Sequence, residues 1–463
     1  MSELIPVHNL PSESMRFFTP AKIHTRSFTG YFRRLRILGV LSLFILFFGT
    51  AWMDWNGRQA VLWDLSKSKF HIFGSTFWPQ DFILLSAILI ICAFGLFFIT
   101  VLAGRVWCGY SCPQSVWTWI FMWVEKVTEG DRNQRVRLDK AAFSANKLLR
   151  RAAKHGLWLL ISLVTALAFV GYFTPIRELV TDLATFKLQG WPLFWTFFFT
   201  IATYLNAGWL REKVCFHMCP YGRFQSTMLD ADSLVVSYDS ARGENRGPRK
   251  KGVSPSQVNL GDCIDCYMCV QVCPTGIDIR DGLQMECIGC AACIDACDSI
   301  MDKMGYEQGL IRYTSERELS EGKRQIIRPR LVSFAVVLLT MIALFLWALS
   351  ARSLVTLDVE KDRSLYQFNA DNEIENTYIL KILNKSQIPH TFAVTASGLE
   401  GLGITGSNIV EVDAGSMVEV FVSLAVPPEN IHERSYKIQL NLTATDDSNI
   451  QANSASIFTG PVF

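Results

Sequence analysis

Residues 263–297 carry the pattern C-x2-C-x2-C-x3-C twice, as CIDCYMCVQVCP and again from Cys287 as CIGCAACIDACD. This is the spacing of bacterial-type ferredoxins that hold two [4Fe–4S] clusters. Two-residue gaps let a tight loop turn three thiolates onto one cluster, and the fourth Cys of each run ligates the other cluster. Cys263, Cys266, Cys269 and Cys297 are therefore expected to hold the first cluster. Cys287, Cys290, Cys293 and Cys273 are expected to hold the second. Two zinc ribbons would also use eight thiolates but favour pairs separated by longer loops. The chain is read as a carrier of single electrons.

Half of the residues are hydrophobic and mean hydropathy is +0.23, unusual for a soluble chain. A length of 463 residues permits two or three domains. A net charge of only +2 leaves no nucleic-acid footprint, and no cleavable signal peptide is expected. Thirteen cysteines in cluster-like spacing suit a reducing compartment.

Crossing a bilayer takes about 20 apolar residues. Five stretches qualify: Arg36 to Asp54, Asp81 to Arg105, Gly156 to Ile176, Trp191 to Leu210 and Leu331 to Ala351. Lys and Arg gather before the first span (Arg33, Arg34, Arg36), between the second and third (Arg105 to Lys154), and before the fifth (Arg324, Arg328, Arg330). Loops 54–81 and 177–190 are short and nearly balanced. The positive-inside rule then sets the N terminus and the ferredoxin run in the cytoplasm and residues after 351 outside. No Cys lies beyond Cys297, which agrees.

The expected organisation is a cytoplasmic arm (1–35), a four-helix membrane region (36–230), a linker and ferredoxin domain (231–330), a fifth span (331–351) and an outer domain (352–463). In the last, TYILKILN, HTFAVTAS, MVEVFVSLAV and YKIQLNLTAT alternate and are separated by Asn, Gly, Asp, Ser and Pro. Such spacing predicts an antiparallel, immunoglobulin-like sandwich suited to docking. His390 and His432 stand isolated there and are expected on the surface or in loops.

A second cysteine pattern, C-x3-C-P after an Arg, occurs in RVWCGYSCPQS (Cys108, Cys112) and REKVCFHMCPYGRFQ (Cys215, Cys219). Residues i and i+4 share a helix face, so each pair is expected to offer two thiolates to one object, and the four to form one shared site. Pro113 and Pro220 break the helix ladder or start a new turn. Soft thiolates at a membrane boundary select Cu(I), zinc or an iron–sulfur unit. His217 and Met218 are weaker candidates to join them, with surface and packing roles as the plain alternatives, and Cys92 is expected only to pack. SVWTWIFMWVEK (115–126) favours an interfacial helix, with a buried helix over the cysteines as the rival. Residues 239–252 read as a solvated basic linker. Dinucleotide, P-loop and H-E-x-x-H motifs are absent.

Taken together, the basic arm, five spans, WCGYSCPQ, CFHMCPYGRFQ, YDSARGENRGPRKKG, the double ferredoxin run and the outer sandwich resemble the FixG/RdxA/CcoG family of cytochrome oxidase accessory proteins. The resemblance covers essentially the whole chain. It implies a multi-pass protein of the bacterial inner membrane that reduces Cu(II) to Cu(I) for assembly of the cbb(3)-type oxidase. Copper is then substrate or bound ion at Cys108, Cys112, Cys215 and Cys219. Expected partners are a copper-exporting P-type ATPase and copper chaperone, oxidase assembly factors or subunits, membrane lipid and an electron donor the sequence does not name. A quinol dehydrogenase, or a redox-sensing assembly scaffold, is the alternative. One departure from the ferredoxin pattern is Asp298, where a Pro usually follows the fourth Cys; Pro274 keeps it in the first run.

Overall fold

The computed structural model describes residues 23–253, 255, 259–363 and 365–461; residues 1–22 of the N-terminal arm lie outside them. Five helices among the described residues are long and apolar enough to cross a membrane: Tyr31–Trp52, Pro79–Ala103, Ala145–Val170, Gly190–Leu210 and Pro329–Ser350. Two begin earlier than hydropathy indicates. The first starts at Tyr31 and buries Arg36. In the third, Ser144 caps the helix by accepting from the Lys147 N–H at 3.2 Å, so helix runs through the charged stretch before Gly156. Helix formation there is driven by capping and packing, which hydropathy does not measure. Cys92, expected to pack, lies exposed on the second span.

The chain divides into two compact units, one of residues up to Met53 with Ser86–Ala343, the other of Asp54–Leu85 with Leu344–Phe463. In the first unit, the Trp-rich segment forms the 17-residue helix Pro113–Glu129. One face of it is buried, and the other carries exposed Trp123 and Val127. Its Phe121 stacks on Trp158 of the third span at 5.2 Å between centroids, and the Trp158 indole donates to the Phe121 carbonyl at 3.1 Å. The same helix buries Glu125 and Glu129 completely. Glu125 takes Arg135 at 2.8 Å and Arg211 at 2.7 Å, and Glu129 takes Lys154 at 2.9 Å. Isolated charges at such depth are prohibitively costly, so the network fixes which helices meet.

The ferredoxin segment is bracketed by the antiparallel strands Val235–Tyr238 and Ile311–Thr314, in register Val235↔Thr314. Between them each cysteine run feeds a helix, Met268–Val272 and Ala292–Met304. Tyr267 and Ala291, at the same place in the two runs, both adopt the left-handed conformation, with φ of 56° and 57°. For residues with a Cβ this is an uncommon backbone state, and its recurrence shows one loop design used twice. Residues 239–252 are more than a solvated linker. Arg242 donates from Nη1 to the Gln308 carbonyl at 2.9 Å and from Nη2 to that of Glu307, and pairs with Asp262 at 2.5 Å.

The second unit is a sandwich. One sheet runs Gly403–Thr405, Met417–Val426, Ile374–Asn384, Val355–Lys361, with Gln367–Phe368 added to Ile374–Asn384; the other runs Ile409–Val412, His390–Ser397, Ser435–Ala444, Gln451–Thr459. Alternation places Ile374, Tyr378, Leu380 and Ile382 in the core with Phe392, Leu440 and Phe458. Asn384 is buried too, its amide donating to the carbonyls of Ile388, Val412 and Asp413 at 2.9–3.2 Å. His390 is not a surface residue as expected: it is buried on its strand with Nδ1 2.6 Å from Asp446. Strand alternation decided its side, and a counter-charge at the rim makes that side tolerable. His432 is in an exposed loop.

Residues 54–85, which look like a plain connecting loop in the sequence, fold with the sandwich. They form the sheet Val61–Asp64, Lys69–Ile72, Ser75–Phe77. Lys69 donates to the Gly415 carbonyl at 2.8 Å, and buried Asp81 takes Arg352 at 2.6 Å and Lys385 at 3.1 Å.

Replacing Glu125 by Ala strands Arg135 and Arg211 in the interior. Breaking one partner of a buried pair costs about 3–5 kcal/mol. Hydrogen exchange along Pro113–Glu129 is expected to accelerate correspondingly, while the sandwich strands remain protected.

Candidate iron–sulfur and thiol sites

The two cysteine runs are folded so that their last members cross. After burial, Cys297 of the second run is influenced by Cys269, Asp298, Cys266 and Cys263, and Cys273 of the first run by Cys290. Crossed ligation needs this grouping. Cys269, Cys273, Cys287, Cys290 and Cys293 line one cavity walled by Ile277, Ile279 and Ile288. Burial pushes the Cys269 and Cys287 thiols up to about 12, and raises Cys273, Cys293 and Cys297 as well. Thiols so desolvated ionise when a metal centre supplies the compensating charge. Among the described residues no three His, Cys, Asp or Glu side chains converge on one point where a single ion would sit. A cubane asks for something else, since each thiolate binds a different iron and the sulfurs stand apart around a larger body. The donor set, the apolar walls and the crossing fit two [4Fe–4S] clusters, and these residues would hold them.

Asp298 has a local reason. The helix Ala292–Met304 continues through it, where a Pro would lack the N–H the ladder needs. Its carboxylate instead accepts from the Gly309 N–H at 2.9 Å. In the first run the helix ends at Val272, so Pro274 interrupts nothing.

A brace that cysteine spacing does not reveal crosses the first run. Arg280 is buried, pairs with Asp278 and Asp265 at 2.6 Å each, and lies 4.4 Å over the Tyr267 ring. It thereby holds the residues on either side of Cys266. An Arg between acidic residues in a cysteine loop is a weak signal, because solvated pairs look the same in sequence.

The C-x3-C-P motifs are not two thiols on one helical face. Cys108 lies in the short helix Val106–Tyr110, while Cys112 sits beyond its end, its N–H donating to Trp107. Cys215 lies in a π-turn, Val214–Met218, closed by the Cys219 N–H donating to Val214 at 2.9 Å. Cys112 and Cys219 are N-caps, each followed by Pro at the first helical position, where its missing N–H costs nothing. The prolines thus start helices, and a proline-initiated helix requires the Cys before it to be extended. His217 and Met218 are exposed; Met218 does not pack.

The four thiols are nonetheless neighbours. Burial, then the Cys112, Cys215 and Cys219 thiols against the opposing pull of Arg105, push Cys108 up to about 12. Cys215 is pushed up to about 11 by burial and by Cys112 and Cys219. Gly222 lets the second motif fold back, since a Cβ there would stand 2.4 Å from the Cys215 carbonyl oxygen.

The thiol group also meets the second cysteine run. A Cβ on Gly109, between Cys108 and Cys112, would lie 2.8 Å from the Gly289 carbonyl oxygen and 2.9 Å from Cys290 Cα. Only glycine permits that approach. Arg105 stitches the parts, donating to the Met285 carbonyl just before the second run and, at 2.9 Å, to the Gly222 carbonyl just after the second motif. Tyr313 donates to the Gly289 carbonyl. The Arg preceding each motif was the visible sign of this residue, though spacing alone does not say what it binds.

The Arg280 brace has an acid signature. Burial raises the Asp278 carboxyl, but hydrogen bonds from Arg280 outweigh it, so the group lies below its ordinary value of about 3.9. A depressed folded value stabilises above the unfolded one and is lost as pH falls through the folded one. Cluster absorbance should therefore resist acid until below about pH 4. Asp278→Asn should weaken cluster retention at pH 7 and flatten the acid limb.

Comparison with known proteins follows the same division. Residues 210–316 match the model of the 4Fe–4S dicluster domain, and residues 345–461 that of the immunoglobulin-like fold at the C-terminus of FixG. The chain is 36% identical to the nitrogen fixation protein FixG of Rhizobium meliloti, covering 87% of this chain and 86% of that one. It is 39% identical to protein RdxA of Cereibacter sphaeroides (87% and 88% covered) and 39% identical to protein RdxB of the same organism (81% and 82%). With five membrane-length helices, paired ferredoxin runs and this C-terminal sandwich, the chain is an iron–sulfur redox protein of the FixG/RdxA family.

Proposed function

We propose that the protein reduces Cu(II) to Cu(I) at the Cys108, Cys112, Cys215, Cys219 group, with copper as substrate. The observation that carries this reading is the seat of Gly109 on the Cys290 loop, which sets a half-buried thiol group directly against the second ferredoxin run. When bound, the clusters supply electrons one at a time, matching the one-electron reduction of copper. Thiolates favour Cu(I) over Cu(II), so binding and reduction pull the same way. Cu(I) is satisfied by two thiolates, which suits a group without three-ligand convergence among the described residues. Cys108 and Cys215 are half-buried, and the exposed Met218 beside Cys219 offers a soft exit ligand.

The setting proposed is the bacterial inner membrane, with the N terminus and ferredoxin segment cytoplasmic and the sandwich periplasmic, from the Lys and Arg distribution. Cu(I) would pass to a copper-exporting P-type ATPase or chaperone for assembly of a cbb(3)-type oxidase, whose subunits or assembly factors the sandwich would dock.

Two variants test this. Replacing Cys108, Cys112, Cys215 and Cys219 by Ser, with cluster absorbance intact, is expected to lower Cu(II) reduction by chemically reduced protein at least tenfold and to abolish copper retention. Unchanged rates and copper content would remove the site from consideration. Gly109→Val is expected to slow reduction while copper binding persists, since it separates the thiol group from the Cys290 loop.

A further inference from the structure

In the first unit a cavity of about 410 Å³ opens beside the charged start of the third span. That volume is in the range of small-molecule sites. Its wall is aromatic. His155 lies nearly parallel to Trp209 at 6.5 Å and edge-on to Trp158 at 5.2 Å, and its Nδ1 is 2.9 Å from the Tyr204 hydroxyl. Trp209 is 64% exposed. Pro274 also lines the cavity, and it directly follows Cys273, one of the expected cluster ligands.

Charge narrows the occupant. Arg151, Lys154, Arg211 and Lys213 line the cavity and would suggest an anionic headgroup. The first three already hold carboxylates: Arg151 and Lys154 on Glu129, Arg211 on Glu125. Glu212 stands on the wall beside Lys213. Every cation of the lining therefore has a carboxylate beside it, Arg151 with Asp139 as a second one, which suits a neutral guest that is planar and polar at its edges. His155 marks the junction where the polar half of its helix gives way to the apolar run from Gly156, the depth at which an amphipathic ring on an apolar tail resides.

We infer that this cavity binds the headgroup of a membrane quinol, and that quinol is the electron donor to the ferredoxin segment. The inference rests on the redox reading above but not on copper as the acceptor. Oxidation of one hydroquinone to quinone releases two electrons and two protons. The eight cysteines would hold two acceptors of the [4Fe–4S] class, which when bound would offer a place for one electron each. The protons pass to the His155 imidazole and to water at the cavity mouth. Two Cu(II) ions would be reduced per quinol.

The test uses the full cluster-loaded chain in lipid nanodiscs with a photoreactive short-chain ubiquinone. Labelling is expected on the segments around His155 and Trp209 and is expected to be competed by unmodified ubiquinone. Trp209→Ala, at an exposed position, and His155→Leu should each weaken binding at least tenfold, with cluster absorbance retained as the sign of folding. Reduced short-chain ubiquinol should bleach the clusters of the unaltered protein anaerobically, and more slowly in both variants. Labelling elsewhere, or a co-purified anionic phospholipid that fills the cavity and is lost in Trp209→Ala, would overturn the inference. Unaltered protein reduced with dithionite tests the copper step separately: failure there removes copper reduction and leaves the quinol site standing, while failure of quinone labelling does the reverse.

Discussion

Glu125 organises the first unit. A carboxylate with no exposed surface, one turn from the end of Pro113–Glu129, is tolerable only because Arg135 and Arg211 reach it from two other segments. Those segments are the helix Arg132–Lys140 and the bend that ends the fourth span. Replacing the three by apolar groups of like size could be neutral for stability, but it would no longer specify which surfaces meet. The arrangement bears on function because Arg211 is four residues before Cys215, while Pro113–Glu129 begins at Cys112. The charge network therefore sets the positions of both C-x3-C-P motifs at once.

From there the chemistry depends on close backbone approach. Gly109 against Gly289 and Cys290, with Arg105 tied to Met285 and Gly222, brings the thiol group to the second cysteine run. The two runs are alike in backbone, down to the left-handed Tyr267 and Ala291, but unlike in surroundings. The Arg280 brace lies over the first, and the C-x3-C-P thiols lie against the second. Equivalent sequence thus yields inequivalent environments, and such differences in hydrogen bonding and exposure are what tune cluster potentials.

Much of this was legible in the sequence. Cysteine spacing predicted the ferredoxin segment and strand alternation the sandwich, because both are short-range patterns with a fixed period. Long apolar runs located five spans, though hydropathy misplaced the starts of the first and third, where Arg36 is buried and Ser144 caps. What escaped were contacts between distant residues. The i, i+4 expectation for the C-x3-C motifs failed because each following Pro forces an extended Cys and ends the turn before it. His390 was misjudged because its partner, Asp446, lies 56 residues on. Nothing local in residues 54–85 announces Arg352 and Lys385 as partners of Asp81.

That last pairing has a consequence for the order of events during synthesis. Asp81 and Arg352 are 271 residues apart in the chain, and ribosomes add about 5–20 residues per second. For on the order of tens of seconds, the segment 54–85 exists without the strands it folds with, and the acid at the head of the second span has neither of its cations. The sandwich itself can mature only as the last quarter of the chain emerges. The C-terminal unit is thus completed by a piece made near the beginning, which makes arrival of an intact, full-length chain a condition for burying Asp81.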